Sequence, residues 1–390
     1  MAEIHTPERM AIVAKVAALG PRFAERAEAI DKAAAFPYEN WTDLADAGLL
    51  GIVIPEAAGG LGGDFVAYAL ASEELARHCP STALTFNMHV ATTLLAGEVA
   101  GSLGLAGEDL AFLEARRKTL WSGIIEHHHI HSQPFSEGIA AGATAGYATR
   151  AEPVDGGYLV TGRKIFASLS GASTFHNVLC LVEGDDRLRL LGVPHEGEGV
   201  TIEGAWDPLG MRGTDSRNLV MERAFVSDEH EWLPPGAFNQ AAERWPYFYM
   251  TLSFSYLGLM RGILDFTEQY LKTSSRRDHP IKQQGWAEMN LKYEQAQALC
   301  YRTLGEVMVD PPSDQVTRAW SSMVSTMEGC PEIASTAIRV CGGRSMLRPS
   351  YLERAYRDAR CGATMLPWSV EVCLQRLGTA RLFDAELNDG

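Results

Sequence analysis

The chain has 390 residues, 46% hydrophobic and 21% charged, the proportions of an ordinary globular protein with room for one large core or about two to three domains. Its formal net charge of −15 argues against a nucleic-acid partner, which needs clustered Lys/Arg, though a few placed basic groups could still hold an anionic small ligand. No stretch approaches the roughly 20 apolar residues of a membrane span, the first twenty residues lack a charged-then-apolar leader pattern, and seven scattered cysteines without CxxC spacing read as reduced thiols. A cytoplasmic protein without a membrane partner is expected.

In chain order, residues 7–50 read as helix, because Ile12, Val13, Val16, Leu19 and Phe23 recur at three- and four-residue steps. A second helix over 38–48 ends at Gly48. Gly59, Gly60, Gly62 and Gly63 make a loop, and 65–79, 83–104 and 107–117 are again helical. From Trp121 to about Val226 the texture changes to short alternating runs. Asp155-Gly156-Gly157 separates Ala148–Pro153 from Tyr158–Thr161, a hairpin signature. Val178–Val182, Leu188–Val193, Val200–Ile202 and Leu219–Phe225 are further strands. Helical spacing returns over 242–274, 284–308, 314–341 and 350–380. The expected division is therefore 1–120 helical, 121–232 β, and 233–390 helical.

The run Glu126-His127-His128-His129-Ile130-His131 is unusual. Read as a strand, it sends His127, His129 and His131 to one face. Three imidazoles together could bind a metal, but no second ligand cluster has metal spacing, so no metal site is assigned. Lining a ligand cavity, or a structural role, are the remaining readings, and an imidazole there could act as an acid or base near neutral pH.

Several segments, taken in order, resemble the acyl-CoA dehydrogenase superfamily. Trp41-x-x-Leu44-x-x-Ala47-Gly48-Leu49-Leu50-Gly51-Ile52-x-Ile54-Pro55-Glu56 is similar to the family's N-terminal signature, and Glu73-Glu74-Leu75-Ala76-Arg77 to its next helix. Ser132-Gln133-Pro134 stands where the family has Thr-Glu-Pro. Gly157-Tyr158-x-Val160-x-Gly162-x-Lys164 resembles the hairpin before its flavin-facing strand. Trp206-x-Pro208-Leu209-Gly210-Met211-Arg212-Gly213-Thr214 is the clearest match, and Gly342-Gly343 with Arg357-Asp358-Ala359 closes the set. The resemblance covers nearly the whole chain. It implies an α+β multidomain fold: an N-terminal helical domain, a middle β-barrel and a C-terminal four-helix bundle. It also implies bound FAD, with FMN the other flavin to consider, and a homodimer or homotetramer in which a neighbouring subunit completes the flavin site.

On the strand Lys164–Leu169, the resemblance makes Phe166 the aromatic cover of the isoalloxazine and Ser168 the hydroxyl facing flavin N5. The residue types suit this, since Phe166 offers an apolar face and Ser168 can donate or accept. A core aromatic and a surface serine are the plain alternative. His129, His131 and Ser132 fall on the strand that contacts the pyrimidine side. Arg276 or Arg277, with Gln284, matches a family arginine and glutamine that bind the FAD pyrophosphate, for which a guanidinium fork is suited; a solvated helix end is the alternative. Arg339, Gly342 and Gly343 fall near the adenosine part, or simply stop a helix.

The catalytic base is missing where the resemblance puts it. Removing an α-proton from a thioester requires a desolvated carboxylate. Counting from Arg357-Asp358-Ala359, the family's Glu-Gly-Thr falls on Leu366-Pro367-Trp368; the family's second location falls on Phe248, beside Tyr249. The nearest acids are Glu371 and Glu243, and Glu243 is the first candidate because a Glu-Arg pair like Glu243-Arg244 occurs in members using the second location. Phe248, Tyr249, Leu366 and Trp368 are expected to line the substrate end.

Three readings follow from the resemblance. One is an FAD-dependent dehydrogenase of an unusual CoA thioester, with Glu243, His131 and Ser168 as the catalytic candidates and an electron-transfer flavoprotein as acceptor. The second is a two-component monooxygenase that takes reduced flavin from a reductase and uses O2, for which the lost glutamate is expected. The third is a non-catalytic subunit of a hetero-oligomer.

Overall fold

The computed structural model describes residues 4–138, 147–273 and 275–383. Thr6 accepts from the Arg9 N–H and Pro7 takes the first helical position, so α1 runs Pro7–Ala33. It stops where Ala34 turns left-handed, with φ 48°. The single helix expected over 7–50 is thereby divided: α2 is Tyr38–Asp46, and Leu49–Gly51 is a 3-10 turn. Asp64 caps α3 (Phe65–His78). Helix α4 (Pro80–Leu94) passes through a π-turn, Leu95–Val99, into α5 (Ala100–Ser102).

Helix α6 spans Gly107–His127, ending where His128 turns left-handed at φ 54°. The expected helix over 107–117 is thus too short, and the expected domain boundary at 120 lies inside α6. Leu113, Leu120, Gly123 and Ile124 are its buried positions, a helical spacing that continues past the first strand-like residues. The strand alternation expected for His127, His129 and His131 does not hold. His127 ends a helix, His128 is its cap, and only His131 lies on a strand.

The middle region is a seven-stranded sheet: β1 (His131–Ser132), β2 (Arg150–Val154), β3 (Gly157–Ala167), β4 (Phe175–Val182), β5 (Leu188–Pro194), β6 (Val200–Glu203) and β7 (Arg217–Ser227). β1 and β2 pair parallel to β4 at its two ends, and β5 pairs antiparallel along the length of β4. β2, β3, β7 and β6 then follow as antiparallel neighbours. The sheet curls around Ala151, Val160, Val178, Leu191, Val193 and Leu219. Among the described residues no ladder joins β5 to β6, so the expected middle β-barrel is open there, a half-barrel.

The last region is helical. α7 (Ala237–Arg244) and α8 (Thr251–Lys272) are separated at Trp245-Pro246 by a 3-10 segment, Pro246–Met250. Proline supplies no N–H to continue the helix, which corrects the single helix expected over 242–274 (residue 274 lies outside the described residues). α9 (Pro280–Leu304) and α10 (Ser313–Cys341) follow. The helix expected over 350–380 is two, α11 (Tyr351–Arg360) and α12 (Val370–Leu382). α10 packs on α8, α9 and α12 to make the bundle, and α3 packs on α8. One apolar core runs continuously through both helical regions. Among the described residues no helix is long and apolar enough to cross a membrane.

The two most recognisable sequence segments meet at the joint of all three regions. Asp358 Oδ1 accepts from the Met211 N–H at 2.6 Å. The Arg357 guanidinium forks onto Asp31 of α1 at 2.6 and 2.9 Å and onto Glu353, and donates to the Leu209 carbonyl. A Cβ at Gly210 would overlap the Arg357 backbone.

Candidate functional site

β3 loses its ladder register between Lys164 and Ala167. Within that bulge Phe166 has φ 51° and is 65% exposed. The strand ends at Ala167, so Ser168 lies in the following turn and not on the strand expected over 164–169. Its hydroxyl is 2.8 Å from Ser216 Oγ, which is 2.8 Å from Thr214 Oγ1, which donates to the Met211 carbonyl at 2.9 Å. Because Thr214 spends its one proton on Met211, the chain of hydroxyls orients inward, leaving Ser168 lone pairs facing outward. Trp206 stands edge-on to Phe166, ring centroids 6.4 Å apart, and Leu209 is 61% exposed. The Ile165 N–H donates to Ser136 O at 2.8 Å, which draws the segment after β1 alongside Phe166. Gln133 Nε2 and Trp206 Nε1 are buried donors with no protein acceptor among the described residues. An exposed aromatic beside the orphaned Trp206 donor fits a flat heteroaromatic ring that carries acceptor atoms.

β1 sends its two side chains to opposite faces. His131 is buried, stacked on Phe175 at 5.3 Å, and its N–H donates to His89 Nδ1 at 3.2 Å. Burial, and then the neighbouring His89, push its imidazole well below the usual range, so it is neutral at pH 7. With half-buried His129, it lines a small cavity closed by Phe175, His230 and Trp232. Ser132 turns the other way, and its hydroxyl is 2.9 Å from His176 Nδ1. Among the described residues no group of three or more His, Cys, Asp or Glu side chains could hold a metal ion.

In the C-terminal region Phe248, Tyr249, Trp368 and Trp320 form a line of rings, with neighbouring centroids 5.8, 5.9 and 6.1 Å apart. Tyr256 OH reaches Met365 Sδ at 3.7 Å. Trp368 is buried, and Leu366 is 49% exposed. Glu243 and Glu371 are both exposed. Arg244, expected to form a functional Glu-Arg unit with Glu243, instead directs its guanidinium to Asp310 at 2.6 Å and to the Leu103 carbonyl.

The residues expected around the cofactor's phosphates and adenosine gather at one end of the bundle. Gln284 Nε2 and Arg339 Nη2 both reach Glu288, at 3.0 and 3.2 Å. Lys282 donates to the Val340 carbonyl at the end of α10, just before Gly342 (φ 89°) and Gly343. Gln283 donates to the Arg277 carbonyl at 2.9 Å, Arg277 pairs with Asp278, and Arg276 lies over the Tyr270 ring at 5.1 Å. Sequence reasoning missed Ser216, His176 and His195. Thr214 ends the Trp206–Thr214 motif, but the histidines carry no signal beyond being polar on or beside apolar strands.

Residues 6–100, 136–224 and 238–365 match the N-terminal, middle and C-terminal domains of acyl-CoA dehydrogenase. The chain is 27% identical over 344 residues to the mitochondrial short-chain specific acyl-CoA dehydrogenase of Homo sapiens, covering 85% of this chain and 79% of that one. Among solved structures, KijD3 in complex with FMN and a dTDP-amino-keto sugar superposes with TM-score 0.86 at 21% identity, covering 99% of this chain and 96% of that one. FMN-bound TdsC from Paenibacillus sp. A11-2, a dibenzothiophene monooxygenase, superposes with TM-score 0.85 at 20% identity, covering 97% and 99%. At those identities the superpositions show the fold. The three domain matches together span most of the chain, which belongs to the acyl-CoA dehydrogenase superfamily.

Proposed function

We propose that this member of the acyl-CoA dehydrogenase superfamily is a flavin-dependent monooxygenase acting on a small aromatic or heteroaromatic substrate. The observation that carries the reading is the ring line Phe248–Tyr249–Trp368; it holds Phe248, one of the two positions to which the resemblance assigns a carboxylate, the other being Leu366, which is 49% exposed. Leucine and phenylalanine cannot take an α-proton, whereas oxygenation needs no such base. Bound reduced flavin would supply the electrons that split O2, one atom going to substrate and the other to water.

The chain's own residues then bind, orient and exclude water. Phe166 would cover the ring system, Gln133 and Trp206 would donate to its acceptors, and Ser168 would present lone pairs to a protonated ring nitrogen. The apolar line keeps water from the reacting atoms. The buried Trp368 N–H, which has no protein acceptor among the described residues, suits a substrate heteroatom. The Arg276, Arg277, Lys282 and Arg339 end of the bundle would hold the phosphates of FAD in a neighbouring subunit, with FMN needing less of it. The electron donor would be a flavin reductase.

A second reading, dehydrogenation of an unusual CoA thioester passing electrons to an electron-transfer flavoprotein, is favoured by the domain matches and the dehydrogenase relatives. It requires Glu243 or Glu371 to reach the site. One experiment separates the two. The flavin-loaded protein is mixed anaerobically with a panel of acyl-CoA thioesters, and the reduced protein is separately mixed with ¹⁸O₂ and an aromatic panel including indole and dibenzothiophene. Label in an aromatic product supports the proposal. Bleaching by a thioester, without oxygenated product, sinks it.

A further inference from the structure

On the inner face of the half-barrel a line of side-chain hydrogen bonds leads from solvent to β1. Ser132 Oγ lies 2.9 Å from His176 Nδ1, and His176 Nε2 lies 3.0 Å from His195 Nδ1. Ser132 and His176 have no exposed surface. The His195 side chain is 25% exposed, and its Nε2 is 4.0 Å from Glu196, which is 97% exposed. We propose that Ser132, His176 and His195 form a proton relay between solvent and the strand that faces the cofactor.

Strand register builds this line. β1 pairs parallel with β4 so that Ser132 stands beside His176. β5 pairs antiparallel with β4 so that Val193 stands opposite His176. His195, two residues on, therefore points to the same face, and its N–H donates to the Thr174 carbonyl at 2.9 Å to extend the ladder.

The hydrogen bonding is degenerate, which sets it apart from an ordinary buried histidine. His89, also buried, has one tautomer: Nε2 must donate to the Leu50 carbonyl and Nδ1 must accept from the His131 N–H. His176 has no such constraint. Its Nδ1 faces two hydroxyls, Ser132 and, at 3.1 Å, Ser173, each able to donate or accept. Its Nε2 faces a second imidazole nitrogen that can also do either. Both tautomers are satisfied, so a proton can enter at one nitrogen while another leaves at the other. Burial, reinforced by His195, pushes His176 down to about 3, so the ring stays neutral and passes protons by exchanging tautomers. The titratable groups on this line are His195 and Glu196; His131 lies on the other face of β1.

In the inward direction, a solvent proton binds at His195 Nε2, and the N–H bond at His195 Nδ1 breaks as one forms at His176 Nε2. The bond at His176 Nδ1 breaks as one forms at Ser132 Oγ. The original Ser132 proton, which lies toward the Phe175 carbonyl at 3.5 Å, would turn to a basic site on the bound flavin, and nothing within the relay is oxidised or reduced. The inference rests on the flavin reading of β1 but not on the choice of reaction. Oxygenation by anionic reduced flavin takes up one proton per turnover, and thioester dehydrogenation releases one.

The test uses the full chain with bound flavin and has two readouts. The first is ¹⁵N-histidine NMR, which reports tautomers without turnover. His176 should show averaged tautomeric shifts that Ser132→Ala moves, while His89 stays a single Nε2–H tautomer. The second is reoxidation of the bound reduced flavin by O2 across pH 6–9, in H2O and D2O. His195→Ala, a change at the partly exposed end of the line, should slow the proton-linked phase about tenfold, remove its solvent isotope effect and be rescued by added imidazole, with flavin affinity unchanged. His176→Gln should slow it without rescue. A fixed single tautomer at His176, or a His195→Ala rate and isotope effect equal to wild type, overturns the relay. A wild-type chain that binds no flavin overturns the flavin reading and the relay's destination together, and flavin absorbance shows which failure occurred.

Discussion

Lys164 has no exposed surface, yet its ammonium is held at 2.5 Å from Glu137 and 2.8 Å from the Leu179 carbonyl, with the Tyr147 ring 5.0 Å away. Its place in the Gly162-x-Lys164 motif is legible in the sequence, but its partner is not, since Glu137 lies 27 positions away. Breaking such a pair strands the other charge. Lys164→Ala should therefore cost about 3 kcal/mol in urea denaturation, and adding Glu137→Gln should recover much of it. Buried histidines set a second expectation. Burial pushes His89 down to about 4 and His176 to about 3. The unfolded chain then binds more protons than the folded one below about pH 6.5, so stability falls as pH drops from there toward 4 and the loss is complete below the folded values. Asp358, raised by burial to about 6, contributes the opposite slope above 3.8. His89→Gln should flatten the acid decline in melting temperature; an acid limb identical to wild type would remove His89 from the account.

At the scale of elements, helical and strand textures were legible wherever a period ran long enough, as in α3, α10 and the β2–β3 hairpin. Ends were not. α6 continues to His127 because its buried face continues, and a run of histidines has no intrinsic preference strong enough to announce where it stops. The proline of Trp245-Pro246 marks the break that the helix expected over 242–274 runs across. Glycines at helix contacts carry meaning that no period reveals. Gly258 on α8 lies against α3, and a Cβ there would enter the contact shell of the Glu73 carbonyl. Alanine usually gains about 1 kcal/mol over glycine within a helix. Gly258→Ala should reverse that sign and destabilise by roughly 1–3 kcal/mol, through overpacking against rigid backbone. A variant as stable as wild type would mean the helices separate without cost.

At the scale of the molecule, the joint at Arg357 ties the three regions together. Its side chain is 9% exposed and forks between Asp31 and Glu353 while donating to Leu209, so the loop that bears Met211 and Thr214 is held against both helical regions. Arg357→Ala should cost about 3–5 kcal/mol, and Arg357→Lys should restore little, because an ammonium cannot form the paired fork. The same variant should weaken flavin binding through the Ser168–Ser216–Thr214 line, which ends on Met211. Unchanged flavin affinity in a destabilised Arg357→Ala would uncouple the joint from the site. The acid limb and this joint are both measurable by calorimetry on one protein.

The sequence by itself determined the family and the order of helical, β and helical regions, because these are matters of local period and motif order. Tertiary structure alone decided that the sheet is a half-barrel, that His131 turns into a neutral buried stack while Ser132 faces His176, and that Glu243 stands in solvent. Each depends on which distant segments share a strand register or a helix face, and pairing across tens of residues leaves no periodic trace in either partner.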